Sequence, residues 1–192
     1  MQVKSKKRVA EHGEVFTAER EVKAMCDLVA EECEKIDSTF LEPACGEGNF
    51  LIEILSRKLN TVKKNYSENN SEYERNSLIA LSTLYGIDIL EDNVKICREK
   101  LFDLWDNENF SDELRKSARK ILELNIICGD TLKGKNIIIC EWNFFDDKIH
   151  VQRQDFSLHS LAGEPLEFSD EDIKEKNKNY NPKEYWKIYE YE

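Results

Sequence analysis

The segment Phe40-Leu41-Glu42-Pro43-Ala44-Cys45-Gly46-Glu47-Gly48-Asn49-Phe50 constrains the fold of this chain more than any other. Residues 38–44 read as a short buried strand that ends at two glycines two apart. Beyond them Phe50, Leu51, Ile54, Leu55 and Leu59 keep helical spacing. A strand, a glycine turn and a helix in this order suit nucleotide binding. Gly46 and Gly48 let the backbone turn sharply and a ligand lie against it, and free amides at the helix start can meet a carboxylate or a phosphate. The third glycine of the dinucleotide fingerprint is absent, so the spacing by itself is equally that of a tight turn.

The same alternation recurs downstream. Residues 85–89 read as a second strand, 92–105 and 112–124 as helices and 125–128 as a third strand. Strand, helix, strand, helix, strand predicts an α/β domain over residues 12–135, with a parallel sheet and helices on both faces. Upstream, Thr17 is placed to cap one helix running to about Ile36, with Val22, Met25, Cys26, Leu28 and Val29 on its apolar face. Residues 60–76 are polar and read as an exposed insertion that lengthens the first crossover and can extend the helices beside it. Residues 77–84 read as helical or transitional. Residues 1–11, polar and basic, are expected to be a flexible N-terminus. Two β-rich runs at 136–142 and 148–153 flank Asp146 and Asp147 and predict a C-terminal β-hairpin extension over 136–162. Residues 163–192 form a charged tail whose Tyr180, Tyr185, Trp186, Tyr189 and Tyr191 equip it to dock on a surface.

At 192 residues the chain suits one domain able to bury a core without disulfides or metals. No window approaches the roughly 20 apolar residues of a membrane span, and no apolar stretch follows the basic N-terminus, so a cytoplasmic protein is expected. The six cysteines never form C-x-x-C, which points to reduced thiols and to no zinc site. The net charge of −11 is opposite to the basic footprint of a protein that grips DNA phosphates by itself.

The wording of the glycine segment, Glu-Pro-Ala-Cys-Gly-x-Gly-x-Phe, strongly resembles motif I of the N6-adenine DNA methyltransferases of restriction-modification systems. The resemblance implies a Rossmann-like sheet that binds S-adenosylmethionine (SAM), with Glu42, Ala44, Gly46 and Gly48 around its methionine end and Phe50 walling the pocket. Tyr85-Gly86-Ile87-Asp88-Ile89 closes a strand with an acid that can accept the hydroxyl protons of a ribose, or cap the following helix. By resemblance Asp88 is the ribose ligand and Ile89 packs on the adenine ring. Ile126-Ile127-Cys128-Gly129-Asp130-Thr131-Leu132 resembles motif III, whose acid meets the adenine amino group. That makes Asp130 the reader of the exocyclic amine, although Asp after Gly is equally a turn residue held by its own backbone. His12-Gly13-Glu14-Val15-Phe16-Thr17 resembles motif X, which places Phe16 and Thr17 beside the methionine. Phe16 also suits a hydrophobic staple on the helix that follows.

A complete enzyme of this family also carries Asn/Asp-Pro-Pro followed by an aromatic residue at the end of a fourth strand, where it orients and stacks the target adenine. Asn181-Pro182-Lys183-Glu184-Tyr185 is the nearest match here, and it lacks the second proline. The resemblance therefore covers cofactor binding over residues 10–133 and assigns no catalytic residue. It implies a SAM-binding subunit or fragment that needs a second protein chain for the catalytic motif and for target recognition, and that meets DNA through that partner. A non-catalytic SAM-binding regulatory or remnant protein is the competing expectation. A small-molecule methyltransferase or other nucleotide enzyme is disfavoured by the motif I wording.

Overall fold

The computed structural model describes residues 8–10, 15, 17–132, 137–158 and 177–192. Most of the expected flexible N-terminus, motif X residues 12–14, Phe16 and residues 159–176 lie outside the described residues.

The expected helix from Thr17 to Ile36 is two helices, α1 (Glu19–Asp27) and α2 (Ala30–Glu34). Ala18, not Thr17, holds the N-cap position of α1, and its amide donates to Glu21 Oε2 at 3.3 Å. The break falls at Val29, whose φ of −127° leaves the helical region, while Leu28 beside it is 84% exposed. Strand β1 follows (Phe40–Glu42), shorter than the apolar run that announced it. Helices α3 (Asn49–Tyr66) and α4 (Asn70–Ser82) then lead to strand β2 (Leu84–Asp88). The polar stretch 60–76 is therefore helical across all but a short turn. Asn69 restarts the chain there by accepting from Glu72 N at 3.2 Å. Helices α5 (Glu91–Trp105) and α6 (Asp112–Asn125), the latter capped by Ser111, lead to strand β3 (Ile126–Cys128).

The three strands form a parallel sheet in the order β1-β2-β3. Parallel pairing makes alternate residues address opposite neighbours. Phe40 N donates to Thr83 O at 2.9 Å, so Phe40 and Glu42 face β2, and the amide and carbonyl of Leu41 face outward.

Strands β4 (Ile138–Phe144) and β5 (His150–Ser157) form the expected hairpin. Two short strands from the tail, β6 (Lys178–Asn179) and β7 (Lys183–Glu184), add to the far side of β5, so the hairpin becomes a four-stranded antiparallel sheet. Tyr180, Tyr185, Trp186 and Tyr191 of the tail pack inside the chain, while Tyr189 is exposed. Tyr185 and Tyr191 are buried with Ile188 of the 3₁₀ helix Tyr185–Glu190, and Tyr191 OH donates to Val151 O at 2.8 Å and to Asn181 O at 2.9 Å. The segment at Asn181 is thus the connection between β6 and β7. It follows a strand, and that strand belongs to the antiparallel sheet.

Helices do not cover both faces of the parallel sheet by themselves. On one face of β2, α3 packs so closely that a Cβ on Gly86 would lie 2.9 Å from Leu51 Cδ1. On the other, the antiparallel sheet takes a share: Tyr85 OH donates to Cys140 O at 2.6 Å, and a Cβ on Gly129 would lie 3.1 Å from Ile137 Cγ1. Asn125, fully buried at the end of α6, joins the layers. Its Nδ2 donates to Ser82 O (2.8 Å) and Leu84 O (3.1 Å), and its Oδ1 accepts from Trp142 Nε1 at 2.9 Å. A buried amide with all these bonds made fixes the register between the layers.

Candidate functional site

The loops that leave the C-terminal ends of β1, β2 and β3 surround one cleft of about 560 Å³, the place where open parallel sheets offer a crevice to ligands. The first loop is built by its glycines. Gly46 (φ 53°) and Gly48 (φ 88°) both occupy the left-handed region, which a side chain would strain, and Gly48 is the N-cap residue of α3. A Cβ on Gly48 would also lie 2.5 Å from Cys97 Sγ, so this glycine serves close packing against α5 and stands behind the cleft wall. Cys45 N donates to Ile87 O at 2.9 Å, which ties the loop to β2. The Cys45 thiol is held far above its ordinary range by a hydrogen bond with Cys97 and by burial, so it is no nucleophile.

Asp88, at the end of β2, is the centre of this arrangement. Its Oδ2 accepts from Gly46 N at 2.9 Å, and its Oδ1 accepts from Leu90 N at 2.8 Å and Asn93 Nδ2 at 3.3 Å. Both readings of the residue are therefore present: it bonds the amide of Leu90, the N-cap residue of α5, and it lines the cleft. Asp130 is likewise a turn residue, accepting from Leu132 N at 3.1 Å, and a lining residue at the same time. Thr131 Oγ1 donates to Pro43 O at 2.8 Å and links the third loop to the first. Glu42 Oε1 accepts from Ala44 N at 3.2 Å. Asn49 Nδ2 donates to Thr17 O at 3.2 Å and holds the upstream segment at the rim.

Of the residues singled out by sequence, Thr17, Glu42, Ala44, Gly46, Phe50, Asp88, Ile89 and Asp130 line this one cleft; Gly48 supports it and Phe16 lies outside the described residues. Sequence reasoning missed Asn49, Asn93 and Thr131. Asn93 carried a signal, being a polar residue on the inward face of a helix, where it is 1% exposed. Three carboxylates converge on the cleft, and among the described residues no lysine or arginine lines it. Such a lining favours hydroxyl and amine donors and cationic groups, and it opposes a pyrophosphate. A larger depression of about 850 Å³ among α2, α3 and α4 is polar and touches none of the strand-end loops.

The description "MmeI, DNA-methyltransferase domain" matches residues 17–180. Over 110 residues, 54% of this chain, it is 36% identical to a Methanocaldococcus jannaschii protein named "Putative type II restriction enzyme and methyltransferase", of which the match covers 9%. Over 109 residues, again 54% of the chain, it is 32% identical to "DNA methyltransferase A" of Bacillus subtilis, of which the match covers 12%. The match spans about a tenth of the length of these relatives. No solved structure matches significantly. With most of its length matched, the chain belongs to the MmeI DNA-methyltransferase domain family, among the DNA methyltransferases of restriction-modification systems.

Proposed function

We propose that this chain is the SAM-binding part of a DNA (adenine-N6) methyltransferase of a restriction-modification system, with a Rossmann-like cofactor sheet. In this reading the catalytic motif and target recognition come from further polypeptide. The observation that carries it is the convergence of Glu42, Asp88 and Asp130 with the glycine loop on one cleft at the strand ends. There Glu42, Ala44 and Gly46, with Phe16 and Thr17, take the methionine end of SAM. Asp88 takes the ribose, Ile89 packs on the adenine, Asp130 meets its amino group and Phe50 closes the wall. A carboxylate lining suits a ligand with a sulfonium, an ammonium and ribose hydroxyls, and DNA methyltransferases as a class use SAM.

The dependence on further polypeptide is supported by two features. The 192-residue sequence has no Asn/Asp-Pro-Pro-aromatic motif, so within it no group polarises the target amine or stacks a flipped adenine. Among the described residues no strand pairs with the outer edge of β1, which lies beside an apolar groove of about 300 Å³ lined by Met25, Val29, Phe40, Leu41 and Ile54 among others. A strand bearing the missing motif would pair with Leu41, and its apolar side would fill the groove. The acidic balance fits contact with DNA through that partner, and a cytoplasmic setting fits both; among the described residues no helix is long and apolar enough to cross a membrane.

Calorimetry of the chain with SAM, S-adenosylhomocysteine and NAD tests the cofactor reading. SAM and S-adenosylhomocysteine should bind and raise the thermal midpoint, and NAD should not. Asp88→Ala should weaken binding by about 1–3 kcal/mol through loss of a charge-assisted bond. No heat and no melting shift with saturating SAM would remove the reading. Tritium transfer from SAM to adenine by the chain alone would remove the need for a partner, and a cofactor-binding chain that no partner activates would be a regulatory or remnant protein.

A further inference from the structure

We infer that Asp88 takes one ribose hydroxyl rather than two, and that Asn93 is the positioning residue that sets this limit. The inference rests on the cofactor reading above and refines how the ribose is held. An ionised carboxylate offers about four acceptor positions. In Asp88 three are engaged inside the protein. Oδ1 accepts from Leu90 N at 2.8 Å and from Asn93 Nδ2 at 3.3 Å, and Oδ2 accepts from Gly46 N at 2.9 Å. One position is left, on Oδ2. A cis-diol brings two donors, so the second must find another acceptor or displace a protein donor.

None of the three is easily displaced. Two are main-chain amides, one from the N-cap residue of α5 and one from the glycine loop. The third, longer bond is secured through the far end of the Asn93 amide. Arg8 Nη2 donates to Asn93 Oδ1 at 3.2 Å while Arg8 Nη1 reaches Asp92 Oδ2 at 2.6 Å. With a guanidinium on its oxygen, the Asn93 amide presents its nitrogen to Asp88, and the residue is 1% exposed. Arg8, Asn93 and Asp88 thus form a relay from the upstream segment to the ribose position, in which Asn93 orients the carboxylate.

The test compares S-adenosylhomocysteine with its 2′-deoxy and 3′-deoxy counterparts by calorimetry, on the whole chain and on Asn93→Leu. In the wild type one deoxy compound should bind roughly tenfold or more weaker, and the other within about threefold of the parent, since only one hydroxyl gives its proton to the charged oxygen. Asn93→Leu frees the second position on Oδ1, so the formerly neutral deletion should also become about tenfold costly. A merely structural role for Asn93 would weaken all three compounds by a common factor and leave their ratios unchanged. Equal penalties in the wild type, or unchanged ratios in Asn93→Leu, would overturn the inference. Should Asn93→Leu not fold, Arg8→Ala removes the guanidinium from the amide oxygen without touching the core and should shift the ratios the same way. Absence of any binding by wild-type chain sinks the cofactor reading itself, whereas symmetric penalties sink the inference alone.

Discussion

The two margins of the parallel sheet carry similar apolar strands and are finished in opposite ways. At β3 the outward carbonyl of Ile126 accepts from Arg98 Nε (2.9 Å) and Nη2 (2.6 Å), and Ile126 is fully buried. The antiparallel sheet closes over the neighbouring face through Tyr85, Cys140 and Trp142. At β1 the cover stops short. Leu41 pairs by register with Tyr85 and so shares its face, yet Leu41 is 47% exposed where Tyr85 is 7%. Met25 and Val29 beside it are also exposed, and no strand pairs with the outer edge of β1 among the described residues. One margin has a guanidinium and a second sheet, the devices by which proteins protect strand edges; the other has neither. Under the proposed function, such an edge beside apolar side chains, rather than the aromatic tail, is the surface suited to further polypeptide.

The comparison breaks most sharply at Trp142 on the closed side. Trp142→Ala removes a large buried ring and the donor to Asn125, and should destabilise the chain by about 3–5 kcal/mol in urea unfolding. A loss under 1 kcal/mol would mean that the antiparallel sheet covers the parallel one only loosely.

Next in size is Lys58, which holds β1 from its N-terminal end in place of a lateral neighbour. Its buried ammonium donates to Ile36 O at 3.1 Å, Thr83 Oγ1 at 2.9 Å and Ser38 O. Lys58→Met should cost about 1–3 kcal/mol, because it leaves those oxygens without a donor.

Alkali should act through buried thiols and phenols on both sides of the sheet. Burial pushes the Cys140 thiol up to about 12 and the Cys26 thiol up to about 11, and raises the Tyr85 phenol as well. The unfolded chain releases these protons first, so their stabilising effect is complete below about pH 8.5 and is lost as pH rises towards 12. Lys58 opposes this up to about pH 10.4, since burial lowers it to about 8 and its charging burdens the folded state below that window. The net fall should therefore steepen above pH 10.4, towards roughly 1.4 kcal/mol per pH unit for each proton difference. Urea midpoints measured from pH 8 to 11.5 check it, and Cys140→Ala should flatten the decline.

The smallest effect is expected at the open margin. Leu41→Lys should change the stability of the chain alone by no more than about 0.5 kcal/mol. In co-expression with a polypeptide that carries the Asn/Asp-Pro-Pro-aromatic motif, the same change should abolish co-purification and adenine methylation. Retention of both would place the partner elsewhere.

The glycine turn, the acids at two strand ends and the three-strand alternation were all legible, because each depends on local spacing and on residue types with few substitutes. The covering of the sheet was not. Periodicity marks an apolar face and leaves its partner unspecified, so the docking of the expected hairpin on the far side of β2 had no signature, and neither did the tail strands β6 and β7. Residues 60–76 looked like an insertion because polar helices on a surface carry little periodic signal. Asn49 and Thr131 gave no sign of their place at the cleft, since each binds a backbone carbonyl distant in sequence, at Thr17 and Pro43.

The sequence by itself determined where the chain turns and which acids end its strands: a left-handed backbone needs glycine, and a carboxylate beside a turn stays polar wherever it packs. Only the tertiary structure decided how those acids are used. Three of the acceptor positions of Asp88 are filled by Gly46, Leu90 and Asn93, which lie 42, 2 and 5 residues from it. The tertiary structure also decided which margin of the sheet is closed, because a strand's edge is satisfied by whatever the folded chain carries to it, and among the described residues Arg98 reaches β3 and no strand reaches the outer edge of β1.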